Sequence, residues 1–233
     1  MTEYRHEYKY LCSGLQLKVL EKRLCALLRP DPHAGDSGTY LIRSAYFDTP
    51  DNACYYENEN GIDPRSKYRI RIYNCSDRRI TLERKVKRRS MTHKDAASLT
   101  RAQCEQMLRG SIPEVTPDMP PILAEMLTEM RKKAMRPAVI VQYERRPFIC
   151  PAGNVRITLD FRISSSQSFD LFFQRNIPLR PVLSNGQGVL EVKWDQLLPS
   201  YIKQQLELDE LQWTAFSKYY LCRKYNTHGV TPK

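Results

Sequence analysis

The signatures of several common enzyme classes are missing from this 233-residue chain. It has no P-loop signature and no GxGxxG segment, which excludes phosphate binding by a Walker loop or a Rossmann turn. Cys12, Cys25, Cys54, Cys75, Cys104, Cys150 and Cys222 include no CxxC pair, and His6, His33, His93 and His228 never fall four apart. A zinc site or a disulfide framework needs tighter clustering, so scattered reduced thiols in a cytoplasmic protein are expected. No signature marks a papain-like nucleophile. Long apolar runs are also missing, and Met1-Thr2-Glu3 opens without the basic-then-apolar profile of a signal peptide. Secretion and membrane insertion are therefore not expected. Internal repeats and low-complexity tracts are absent.

What is present is a globular composition, 41% hydrophobic and 27% charged, with a formal charge of +11. Such an excess favours an anionic partner: nucleic acid, a membrane surface or a phosphorylated small molecule. Period-two alternation recurs over residues 3–10, Lys67–Tyr73, Ile80–Lys87, Val155–Ile163 and Val189–Trp194. Each segment reads as a strand with one apolar and one charged face. Leu41–Phe47 and Ala138–Arg145 are two more, with Pro147 ending the second or leaving it at an edge. Ser13 with Gln16 and Thr100 with Gln103 read as capping boxes opening helices at Leu15–Arg29 and before Gly110. Pro121–Met135, Leu197–Leu211 and Trp213–Tyr225 complete the helices; segments 30–38, 48–66 and 111–120 read as loops. One α+β domain over 1–233, with its core at about 3–225, is the simplest organisation.

A solvated antiparallel sheet also alternates polar and apolar residues, and that reading stays open for any single strand. As a set, the charged faces carry Arg69/Arg71, Lys85/Lys87 and Arg156/Arg162 with Glu7, Glu83, Asp160 and Glu191 among them. If the sheet curled so that these faces converged, it would enclose a basic cavity with a few carboxylates, covered outside by helices. Arginine forks, lysine point charges and a divalent cation on one or two carboxylates suit phosphoryl transfer. Nucleic-acid binding is disfavoured, because bases alternate with acids and form no continuous exposed stripe.

The segments RHEYKY (5–10), SAYFDTPDN (44–52), KYRIRIY (67–73), LERK (82–85), QYERRPF (142–148), VRITLD (155–160), LEVK (190–193) and FSKYY (216–220) stand in the order of a known family. The chain resembles the VTC (vacuolar transporter chaperone) catalytic domain, the polyphosphate-polymerase branch of the triphosphate tunnel metalloenzymes. The resemblance implies an antiparallel β-barrel tunnel with a charged interior and helices packed outside. It implies phosphate-gripping or catalytic roles for Lys9, Arg69, Arg71, Lys85, Arg145, Arg156 and Lys218, and substrate-binding roles for Lys94, Tyr143 and Ser217. It implies a metal, Mn²⁺ or Mg²⁺, on Glu191, with Glu83, Asp160 and Glu7 as secondary carboxylates. Lys94 falls in a loop that aligns loosely. The implied reaction moves the γ-phosphate of ATP onto polyphosphate; hydrolysis of triphosphate or nucleoside triphosphate, and non-catalytic sensing, are the rivals. Arg5 stands where the wider superfamily's first-strand ExExK has its first glutamate, which argues against a two-metal hydrolase. No SPX sensor or membrane segment accompanies the motifs, so any membrane association would come through a separate membrane protein partner.

Overall fold

The computed structural model describes residues 6–35, 37–89, 91–208, 211 and 214–227. In chain order the elements are β1 (His6–Cys12), α1 (Gly14–Leu27), β2 (Arg29–Pro30), β3 (Tyr40–Asp48), α2 (Ala53–Glu59), β4 (Arg65–Tyr73), β5 (Ser76–Arg88) and β6 (Met91–Ser98). Then follow α3 (Arg101–Leu108), α4 (Pro121–Lys132), β7 (Arg136–Cys150), β8 (Val155–Ser166), β9 (Arg180–Pro181), β10 (Gly188–Trp194), α5 (Ser200–Leu206) and α6 (Lys218–Thr227). Antiparallel pairing joins the strands into one sheet in the order β1-β10-β8-β7-β3-β4-β5-β6, with β2 beside β7 and β9 beside β8.

Alternation gives this sheet two chemically distinct faces. On one, Ile70, Ile72, Leu82 and Ile140 pack with α3 and α4 residues; in a second cluster, Ile157, Leu159, Leu190 and Val192 pack with Leu17, Leu20 and Leu24 of α1. Each such aliphatic side chain contributes about 1.5–3 kcal/mol when fully buried. Both capping boxes form, with Gln16 and Gln103 returning hydrogen bonds to the cap residues Ser13 and Thr100. Gly188 is required for close approach: a Cβ there would lie 2.4 Å from the Asp160 carbonyl oxygen and 2.8 Å from Leu17 Cδ1. The missing side chain lets α1 seat on β10.

The other face is concave and charged. The ends of the sheet, β1 and β6, are not laddered together; side chains close the gap, Thr92 Oγ1 donating to Glu7 at 3.2 Å and Lys85 Nζ at 2.8 Å. The stretch before α6 also runs along β1, with Thr214 N donating to the Lys9 carbonyl at 3.0 Å. Along β1, β4, β5, β8 and β10 the charged residues face inward, but Val139 and Val141 of β7 also lie on the concave face, and Arg43 and Gln142 are buried on the outer one.

Several expectations need correction. The loop expected over 48–66 contains α2, and Asp48, buried, accepts from the backbone N–H groups of Cys54 and Tyr55 at its start and from the Tyr219 hydroxyl. The 30–38 loop carries β2 and a 3₁₀ turn at Pro32–Ala34. Lys94 lies on β6, directly opposite Lys85, not in a loop. That strand (MTHKDAAS) escaped notice because it lacks apolar alternation. Pro147 does not end β7, which continues to Cys150, but it does stand at a local edge. Its missing N–H falls in the gap where β3 has finished at Arg145 and β2 has not begun at Phe148. Arg162 leaves the charged face, because β8 carries an extra residue opposite Gln142–Glu144 of β7 and Arg162, in that bulge, takes φ 50°; it pairs outside with Glu144 at 2.7 Å. The last two helices are shorter and shifted, Ser200–Leu206 and Lys218–Thr227. Arg5, Trp213 and the first residues of the expected opening strand lie outside the described residues. All seven cysteines are free thiols.

Candidate active site: a charged tunnel

Adjacent strands bring the candidate residues together by register. Lys9 faces Glu191, Glu191 faces Thr158, Arg69 faces Glu83, and Arg145 faces Asp160. Two cavities occupy the concave face and share Arg69, Arg71, Lys85, Thr92, Arg145, Glu191 and Lys193, so they form one passage. Toward one mouth the lining adds Asn58, Arg65, Lys67, Ser217, Lys218 and Tyr219; toward the other it adds Tyr40, His93, Lys94, Arg156 and Thr158. The second cavity holds about 520 Å³, within the range of small-molecule sites.

Carboxylates hold the cations in place. Asp160, wholly buried, accepts from Arg145 Nε at 2.7 Å and Nη2 at 2.8 Å, and from Lys218 Nζ at 2.6 Å. Glu83 accepts from Arg69 at 2.5 and 2.7 Å and from Lys94 at 3.2 Å, with Arg71 at 3.8 Å. Glu7 binds Lys9 at 2.8 Å and Lys85 at 2.8 Å. Glu191 has Lys193 at 2.9 Å, but Lys9 and Arg145 stand off at 3.8 Å each. Burial alone would raise these four carboxyl groups; the surrounding lysines and arginines overcome it and hold all four below the ordinary carboxylate range. Lys9 is raised: burial opposes its charge, but Glu7 and Glu191 more than offset that. Lys85 is lowered to about 7, because burial outweighs its contact with Glu7.

The tyrosines orient the arginines. Tyr46 OH accepts from Arg69 Nη1 at 2.7 Å, and Tyr143 OH accepts from Arg71 Nη2 at 3.4 Å. The Tyr143 ring lies 4.9 Å from Lys218 Nζ and 5.3 Å from the Arg145 guanidinium carbon. Ser217 precedes α6, accepting from Tyr220 N at 3.3 Å, and so sets Lys218 at the tunnel wall. Arg156 lines the second cavity, donating to Tyr40 OH at 2.9 Å and Asp31 at 3.1 Å. Thus Lys9, Arg69, Arg71, Lys85, Arg145, Lys218, Tyr143, Ser217 and Glu191 line the first cavity, in part shared with the second, while Lys94 and Arg156 line the second. Motif matching missed Lys67, Asn58 and Lys193; the inward phase of their strands would have found the two lysines, and nothing in the sequence marks Asn58.

Among the described residues no three His, Cys, Asp or Glu side chains cluster as a metal site. Glu191 is nevertheless suited to one. It is the carboxylate whose closest partner is a single lysine, and beside it the buried Thr158 Oγ1 has no hydrogen-bond partner. A hard divalent cation takes one or two carboxylates plus phosphate and water oxygens, which this pair and the neighbouring Glu7 fit.

The VTC domain family model matches residues 4–226. The chain belongs to the VTC domain family. Solved structures add the fold. A proposed adenylyl cyclase from Hippeastrum, described as having a dominant triphosphatase activity, superposes with TM-score 0.53 at 14% identity, covering 94% of this chain and 95% of that one. An adenylate cyclase candidate from Vibrio parahaemolyticus gives TM-score 0.52 at 11% identity over 95% and 98%. Another, from Bacillus halodurans, gives 0.50 at 16% over 88% and 86%. Curated proteins give no match. The VTC domain here has the triphosphate tunnel fold, a curled antiparallel sheet with helices outside. None of its described helices is long and apolar enough to cross a membrane.

Proposed function

We propose that this VTC domain transfers the γ-phosphate of ATP onto the end of a polyphosphate chain inside the tunnel. The observation that carries the reading is the passage with two differently lined mouths around one arginine-rich centre, which gives a donor and a growing chain separate ways in. Arg69 and Arg71, splayed on Glu83, and Arg145, fixed on Asp160, present guanidinium forks to phosphate oxygens. A terminal phosphate oxygen attacks the γ-phosphorus, the bond to the β-bridging oxygen breaks, and the electron pair leaves on ADP. Lys9, Lys85 and Lys218 stabilise the charge developing there. The attacking oxygen is already an anion at neutral pH, so no general base is needed, whereas water would need one. Mn²⁺ or Mg²⁺, when bound at Glu191 with Thr158 and Glu7 alongside, would neutralise charge on the phosphates.

Hydrolysis of triphosphate in the same tunnel is the second reading, favoured by the activity described for the Hippeastrum protein. The deciding experiment incubates the purified protein with ATP and Mn²⁺, resolves products by size and assays free phosphate in parallel. Chains longer than the substrate establish the transferase. Phosphate without chains makes the domain a hydrolase, and binding without turnover makes it a sensor or a subunit lacking a membrane partner.

A further inference from the structure

The inward face of β4 carries Arg71, Arg69, Lys67 and Arg65 in succession. Arg69 and Arg71 share Glu83, but Lys67 pairs with no carboxylate among the described residues. Its ammonium donates to Asn58 Oδ1 at 2.6 Å and lies 4.6 Å from the centre of the Tyr219 ring. At the opposite mouth the cations have acidic partners, Lys94 on Glu83 and Arg156 on Asp31. Positive charge is therefore least compensated at the mouth between α2 and α6.

We propose that Lys67 and Asn58 form a phosphate subsite at that mouth, which grips the end of a phosphate chain extending beyond the central arginines. The inference rests on the tunnel reading above. From Arg71 to Lys67 is four residues, about 13 Å along a strand, so the subsite adds reach that only a longer chain uses. Lys67 has three donors and spends one on Asn58, while the ring face tolerates its charge without neutralising it. Burial lowers it to about 7, with Arg65 on its own strand, Lys85 on β5 and Lys9 on β1 adding to the fall and Cys54 on α2 opposing it. An incoming phosphate oxygen would supply the missing counter-charge.

The test measures calorimetric binding of inorganic tripolyphosphate and of a longer polyphosphate to the full chain. Lys67→Met should weaken the longer chain by about tenfold or more, the loss of a charge-assisted hydrogen bond, and tripolyphosphate by much less. Lys67→Arg should keep the affinity while reducing proton uptake on binding at pH 7. Asn58→Ala should show the same chain-length selectivity, and serves if Lys67→Met does not fold. Unchanged affinity for the longer chain, or equal losses for both ligands, would overturn the subsite. Wild-type protein that binds neither ligand would overturn the tunnel reading itself.

Discussion

Asp160 and Glu191 stand on neighbouring strands of one tunnel, and both are buried, yet their surroundings differ. Asp160 is held on both oxygens by Arg145 and on one by Lys218, all within 2.8 Å. Glu191 has one close lysine and two cations at 3.8 Å, and an unpartnered threonine hydroxyl beside it. The first carboxylate is committed to fixing two cations; the second retains capacity for a ligand. Burial and charge are alike at the two corners, so saturation of the oxygens is what separates a positioning acid from a candidate ligand.

The largest effect that would break this contrast is on turnover. Glu191→Gln keeps size and most contacts while removing the charge that would hold the cation. Turnover should fall by about 10²-fold or more, with the urea midpoint little changed. Near-normal activity would remove Glu191 from the site. Asp160→Asn should act on the fold first: it leaves Arg145 and Lys218 buried against a neutral amide, costing about 3 kcal/mol in chemical denaturation. Should the two variants behave alike, unstable or inactive together, the distinction between the corners fails.

How far these corners were legible in the sequence follows from their backbone. Glu191 and Asp160 sit on strands whose strict alternation fixes which residues point inward, so motif and phase agreed. Lys94 was misplaced because MTHKDAAS pairs only at the sheet edge and has no apolar stripe to reveal its period. Arg162 was misplaced for the opposite reason: its pattern was regular, but a bulge in its own strand reversed its face, and bulges depend on pairing that local sequence does not encode. Asn58 and Asp48 act through α2, a helix of seven residues opened by Asn52 in the left-handed region, where no side-chain cap announces it.

A smaller effect sharpens the comparison between acids and lysines. The four tunnel carboxylates are held low, so the stability they contribute is present above about pH 4 and is lost as the pH falls through their lower folded values. Acid unfolding should therefore begin below the ordinary carboxylate range. Lys67 and Lys85 do the reverse, both lowered to about 7 mainly by burial. Burial keeps Cys12, Cys54, Cys104 and Cys222 protonated in the folded chain, whereas the unfolded chain's thiols begin to ionise at about 8.5. Between about 7 and that value, the unfolded chain binds more protons than the folded one. Stability of the ligand-free protein should rise across this window. Saturating tripolyphosphate or polyphosphate, which favours the charged lysines, should flatten or reverse the trend. Melting temperatures from about pH 6.5 to 8.5, with and without ligand, would read it directly, and a ligand-free curve that falls across the window would contradict it.

The smallest effect tests whether facing, rather than charge, decides function. Arg156 and Arg162 share β8, and the alternation alone assigns them to one face. The bulge separates them: Arg156 reaches the cavity it shares with Lys94 and Thr158, and Arg162, 79% exposed in its side chain, makes a surface ion pair with Glu144. Such a pair contributes about 0–1 kcal/mol. Arg162→Ala should therefore leave both phosphate binding and the urea midpoint near wild type, whereas Arg156→Ala should weaken nucleotide binding and also lower the midpoint, because it takes the arginine from the buried Asp31. Comparable losses in the two variants would mean that net positive charge, not the inward set of side chains, draws the anion to the tunnel.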